Sequence, residues 1–168
     1  ELKNKLFKEG LFDKSFKKNI PKFPSNIAVI SSIEGAVIKD IINIYNRRAP
    51  YVKLFLYNVN VQGAKSLDMI IDALKVINHR DDVDVVIIAR GGGSSEDLNV
   101  FNKERLVREV FNCKIPIITA IGHEIDNTLV DLVADLRAST PSEAAEISVP
   151  NKSDLTQYLD SINSKIHL

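Results

Sequence analysis

Four short polar stretches of this chain carry the residue types that could do chemistry. The first is Arg90-Gly91-Gly92-Gly93-Ser94-Ser95-Glu96-Asp97. Three consecutive glycines are entropically costly, and what they permit is positive φ and close backbone approach. Successive exposed N–H groups then form an anion-binding concavity, to which Arg90 could add a bidentate phosphate contact. The stretch is not a P-loop, because no Gly-Lys-Ser/Thr follows, and Glu96 stands where the dinucleotide pattern needs its third glycine. Without a ligand it would be a flexible turn with a surface arginine.

The second stretch is Gly122-His123-Glu124-Ile125-Asp126. His123 could serve as general acid or base near neutral pH. Asp126 could orient its imidazole, hold a metal, or simply cap the next helix, as could Asn127. The third is Ser31-Ser32, whose hydroxyls could donate to phosphate or cap a helix. The fourth is the single carboxylate Asp40, polar on a largely apolar helix face. Glu96, Asp97 and Asp126, with Asp40, could hold one Mg²⁺ through oxygens and water. No dense carboxylate cluster of the two-metal kind is present. His79 follows a helix and reads as its C-terminal cap. Cys113 precedes a strand, at the edge away from the polar loops, and reads as core.

These stretches need a scaffold that brings them together. Ile27–Ile30 and Val85–Ile88 are short runs of branched apolar residues, the pattern of buried parallel strands. Val52–Val59 alternates in character, and Ile115–Ala120 completes a set of four strands. Between them Gly35–Arg48, Ser66–Asn78 and Lys103–Phe111 show helical spacing, with Leu67, Ile70, Ile71, Leu74 and Ile77 forming one stripe. Thr128–Leu136 and Pro141–Ile147 read as further helices, and Arg90–Asp97 as loop. Alternating strands and helices predict an α/β fold of Rossmann-like type, a doubly wound, mainly parallel four-stranded sheet with flanking helices. We expect strand order 2-1-3-4, with a switch point between strands 1 and 3. The loops Ser31–Gly35, Asn58–Gly63, Arg90–Asp97 and Gly122–Asp126 then follow strands at the carboxyl edge, where such sheets bind ligands, and Asp40, inside the first helix of the domain, could reach the same crevice.

Residues 1–25 are basic, with phenylalanines between lysines, and read as a linker and short helix ending at Gly10. Such a segment could also grip single strands by charge and stacking. Residues 26–150 form the α/β domain. Residues 151–168 begin an amphipathic helix marked by Leu155, Leu159, Ile162 and Ile166. The 168 residues hold 22 basic and 22 acidic side chains, so any anion site is local rather than a global field. One cysteine excludes an internal disulfide and suits a reducing cytosol. No apolar run reaches the ~18 residues of a membrane span. The lack of an initiator Met suggests an excised fragment.

Several blocks together resemble the large-subunit family of exodeoxyribonuclease VII, a bacterial nuclease. They are Ile27–Asp40, Tyr57–Gly63, Asp82–Leu98 with its RGGGS-x-EDL, the GHExD of Gly122–Asp126, and ADLRA-x-TPS-x-AAE near Arg137–Glu146. The family usually has Thr-Ser-Pro-x-Gly-Ala where this chain has Ser31-Ser32-Ile33-Glu34-Gly35-Ala36. The resemblance implies hydrolysis of single-stranded DNA from both ends to 5′-phosphorylated oligonucleotides in the cytoplasm, with Mg²⁺ helpful but not strictly required. It implies an OB-fold before residue 1 and a helical segment carrying several small subunits. Of the family's functional positions, Asp40, Arg90, His123 and Asp126 match. The expected division of labour gives phosphate or DNA binding to Ser31, Ser32, Gly91, Gly92, Gly93 and Ser94 beside Arg90, and proton transfer to His123. The competing expectation is a phosphate- or ligand-binding α/β module, or a scaffold, without catalysis of its own.

Overall fold

The computed structural model describes residues 1–61, 63, 65–91, 95–122 and 127–166, with the side chains of 95–97 and 152 outside the description. Five strands, all parallel, form one sheet: β1 (Asn26–Ser31), β2 (Lys53–Asn58), β3 (Val85–Ala89), β4 (Ile117–Ala120) and β5 (Leu136–Arg137). Their order is β2-β1-β3-β4-β5. The expected order and switch point hold, and a fifth strand extends the edge. The register aligns the strand tips, with Ile30 opposite Tyr57 and Ile88, and Ala89 opposite Ala120.

Strict alternation along the strands sends successive side chains to two separate cores. On one face Ala28, Ile30, Val86, Ile88 and Ile117 pack under α3 (Ser66–Asn78), α4 (Glu104–Asn112) and α5 (Leu129–Val133). On the other, Ile27, Val29, Val85, Ile87 and Ile118 pack under α2 (Ala36–Arg48) and α6 (Pro141–Ile147). Each fully buried Ile or Leu here contributes roughly 1.5–3 kcal/mol. Tyr45 of α2 is tied to Ser148 behind α6 by a buried 2.5 Å hydroxyl–hydroxyl bond. Burial pushes the Tyr45 phenol up to about 12.

The first helix, α1 (Leu2–Lys8), and its exit bury Leu6 and Leu11 in the core under α3–α5. Two of the following lysines are spent on structure rather than left for a ligand. Lys17 Nζ donates to the carbonyls of Leu132 and Ala134 at the end of α5. Lys18 donates its N–H to Asp135 Oδ1 at 2.6 Å and pairs with that carboxylate at 3.1 Å. Cations at a helix C-terminus offset the dipole and occupy its orphan carbonyls.

Two element boundaries differ from the sequence expectation. The helix expected over Thr128–Leu136 stops at Val133, because Asp135 turns in to accept the Ile117 N–H at 2.7 Å and the chain then pairs with β4 as β5. The loop expected to Asp97 instead becomes a 3-10 helix from Ser95 to Asn102, anchored by the fully buried Phe101. In α6 the Thr-Pro-Ser-Glu motif is a helix start. Thr140 caps by accepting from the Glu143 N–H at 3.0 Å, and Glu143 accepts from the Ser139 N–H at 2.6 Å. α7 (Lys152–Ile166) follows, with Leu159, Ile162 and Ile166 exposed.

Candidate active site

The crossovers reverse direction between β1 and β3, which opens a crevice past their carboxyl ends. A cavity of about 490 Å³ lies there. Ser31, Ser32 and Gly35 line it from the β1–α2 loop, Asn60 and Val61 from beyond β2, and Arg90 and Gly91 from beyond β3. Four predicted residues, Ser31, Ser32, Arg90 and Gly91, therefore share one cavity.

Arg90 is held where the β3 ladder ends: its N–H donates to the Ala120 carbonyl at 3.0 Å. The residue is only 6% exposed, so its charge acts at reduced dielectric on anything entering the cavity. Opposite it, α2 begins at Gly35 with no side-chain cap. The first-turn N–H groups and the positive end of a 13-residue helix are thus directed at the same space. Arg47 and Arg48 complete the charge complement at the far end.

The loop between β1 and α2 is pinned from the neighbouring strand. The Ile33 N–H donates to Asn58 Oδ1 at 3.0 Å, and the Val59 N–H to the Ser31 carbonyl at 3.1 Å. Gly91 is needed for space rather than for a left-handed backbone. Among the described residues the positive-φ glycines are Gly10 and Gly63, whereas a Cβ on Gly91 would stand 3.1 Å from Val37 Cγ2.

One strand further along, Ile121 and Gly122 are buried at the tip of β4, beside the end of β3. His123 and Asp126 lie outside the described residues, as do Gly92, Gly93 and Ser94 and the side chains of Glu96 and Asp97. The helix start after them is fixed. Thr128, rather than Asp126 or Asn127, caps α5 in a reciprocal box with Asp131, and the Leu129 N–H donates to Asn102 Oδ1 at 2.8 Å. Asp40 is exposed and lines a different groove, with Asn43 and Arg47 of α2 and Ser142 and Glu146 of α6. It is not among the residues of the Arg90 cavity. Cys113 is buried and its thiol is pushed up by burial, which leaves it unreactive. His79 caps α3, its Nδ1 2.7 Å from the Lys75 carbonyl.

Sequence reasoning missed Asn60, Glu34 and Arg137. Asn60 and Glu34 line the cavity; both lie inside the blocks Tyr57–Gly63 and Ile27–Asp40 that carry the resemblance, yet neither was singled out. Arg137 sits on β5 opposite Thr119, its Nε 4.0 Å from Asp131 Oδ2. It is a second guanidinium, one strand beyond β4 as Arg90 is one strand before it. Its sequence signal was its place in the ADLRA-x-TPS-x-AAE block.

The fold defines a doubly wound α/β domain with a cavity at its switch point, walled by Arg90 and the start of α2. The family model "Exonuclease VII, large subunit" matches residues 11–168. The chain is 53% identical to the exodeoxyribonuclease 7 large subunit of Clostridioides difficile, over 98% of this chain and 41% of that protein. It is 48% identical to that of Alkaliphilus oremlandii over 100% and 41%, and 54% identical to that of Thermoanaerobacter pseudethanolicus over 90% and 38%. The chain belongs to the exonuclease VII large-subunit family. It spans about two fifths of the length of these relatives.

Proposed function

We propose that this domain is the catalytic part of a cytoplasmic nuclease that hydrolyses single-stranded DNA from both ends, leaving 5′-phosphorylated oligonucleotides. The observation that carries the reading is Arg90, buried and on the wall of a cavity at the topological switch point. In this reading a scissile phosphate rests against Arg90, the amides of Gly91–Gly93 and the open start of α2, with Ser31, Ser32 and Ser94 as further donors. Preorganised donors of this kind typically contribute ~3–4 kcal/mol each to the transition state. His123 transfers the proton between water and the leaving 3′ oxygen, worth about 10²–10⁴-fold. Asp126 orients the imidazole. Asp40, which borders the groove between α2 and α6 and not this cavity, is given no part in the reaction centre.

Glu96, Asp97 and Asp126 are the residues that would hold a supporting Mg²⁺, whose chemistry would be charge neutralisation at the phosphate. Among the described residues one carboxylate, Glu34, lines the cavity, and no three potential metal ligands lie together. Those residues by themselves do not make a Mg²⁺ cage, and no step is routed through the ion. Small subunits are proposed to assemble on the helical segment entered by α7, whose exposed Leu159, Ile162 and Ile166 need cover. Among the described residues no helix is long and apolar enough to cross a membrane.

The test uses the full-length large subunit assembled with its small subunits. Arg90→Ala is expected to lower kcat on single-stranded DNA about 10²–10³-fold with the circular-dichroism spectrum unchanged. His123→Ala is expected to lose at least 10²-fold. Wild-type turnover in both variants would leave a binding module.

A further inference from the structure

The cavity beside Arg90 is larger and chemically more varied than a phosphate requires. At about 490 Å³ it far exceeds five heavy atoms, given that one water takes about 30 Å³ of liquid. Its polar walls come from strands that are not neighbours. Asn60 follows β2 and Arg90 follows β3, with β1 between them. Two strand spacings separate these walls by ~10 Å, which is the reach of a nucleotide from its phosphate to the far edge of its base.

The lining also carries both signs of charge. Exposed Glu34 adds a carboxylate to the lining, an acceptor for N–H or O–H donors. Val37 and Val61, both largely buried, add apolar lining to the cavity. Asn60 is exposed, and its amide presents both a donor and an acceptor. By turning over it meets the edge of any base, which suits a site that accepts every sequence. Asn58, two residues earlier, is committed to the Ile33 N–H and cannot take this part.

We propose that the cavity is a nucleoside subsite: it holds the base and sugar of the nucleotide whose phosphate lies on Arg90, with Asn60 at the base edge. This deepens the nuclease reading above and rests on it.

The test compares a labelled single-stranded oligonucleotide with the same strand carrying one tetrahydrofuran abasic nucleotide. Both are cleaved by the full-length large subunit with its small subunits, and the rate at that step is read on a gel. The wild-type enzyme is expected to cut the abasic step about tenfold more slowly, the size of one or two lost net hydrogen bonds and an apolar contact. Asn60→Ala is expected to slow the natural step and bring the ratio close to one, and Asn60→Asp, equal in size, to shrink it too. Equal wild-type rates at the two steps, or a tenfold ratio that survives Asn60→Ala, would overturn the subsite alone. A wild-type enzyme that cuts neither strand would overturn the nuclease reading and the subsite with it.

Discussion

The bond from Ile33 to Asn58 gives the sharpest test of how the phosphate loop is held. The loop carries Ser31, Ser32 and the entry to α2, yet it lacks the proline usual in the resembling family. A proline at 33 would have no N–H to give; this chain has Ile33, whose N–H donates to Asn58 Oδ1 at 3.0 Å. One device thus stands in for the other: a cross-strand hydrogen bond in place of a locked φ. A neutral, solvent-facing bond of this kind is worth about 1 kcal/mol net. Removing it should therefore raise the population of displaced loop about fivefold. Ile33 is 53% exposed, so exchanging its side chain costs little packing. Ile33→Pro deletes the donor but recovers ~0.4–1 kcal/mol through a less flexible unfolded loop.

A double-mutant cycle in the assembled enzyme reads these terms. Asn58→Ala should speed hydrogen exchange at 31–35 about fivefold and raise KM for single-stranded DNA by no more than that factor, with kcat within about twofold. Ile33→Pro should lie near wild type. Asn58→Ala added to Ile33→Pro should then have no further effect, a coupling of about 1 kcal/mol. If Asn58→Ala costs the same in both backgrounds, the clamp is not what holds the loop.

Three further outcomes follow from the packing. Gly91→Ala brings a Cβ to 3.1 Å from Val37 Cγ2; overpacking of this kind costs about 1–3 kcal/mol by urea unfolding, and Val37→Ala in the same chain should restore that stability. Asp131 is nearly inaccessible, accepts from the Thr128 N–H and hydroxyl, and faces Arg137 at 4.0 Å. Asp131→Asn keeps an acceptor but removes the charge, so a loss of about 2–3 kcal/mol by urea unfolding is expected, and an unchanged midpoint would refute the pairing. The Tyr45 phenol is raised from 10.0 to about 12. Below pH 10 it is neutral in both states; above that the unfolded chain ionises first, so stability is lost as pH climbs from about 10 to 12, by roughly 2–3 kcal/mol. Tyr45→Phe should flatten that part of the pH–stability curve.

The sheet was legible because Ile27–Ile30 and Val85–Ile88 are short uninterrupted apolar runs rich in branched residues, the pattern of a strand covered on both faces. The position of Arg90 at the carboxyl edge followed from it. β5 was not legible, since Leu136–Arg137 is too short to show a period and exists because Asp135 bonds to Ile117 and Lys18 from remote parts of the chain. Gly91 was read as permitting positive φ and close backbone approach; the approach is what the structure shows, and that its neighbour is Val37 is a contact between elements that spacing cannot reveal. Asn60 and Glu34 escaped notice for the same reason. They become neighbours of Arg90 only after β2, β1 and β3 are laid side by side. Asp40 was placed correctly on its helix, but a helix face alone does not say which groove it borders.

The most direct test is a crystal structure of the assembled enzyme with a hydrolysis-resistant phosphorothioate oligonucleotide. A backbone phosphate should lie within ~3 Å of the Arg90 guanidinium, between Gly91 and the start of α2. A strand bound elsewhere, with that space filled by the protein's own side chains, would contradict the assignment of this crevice as the reaction centre.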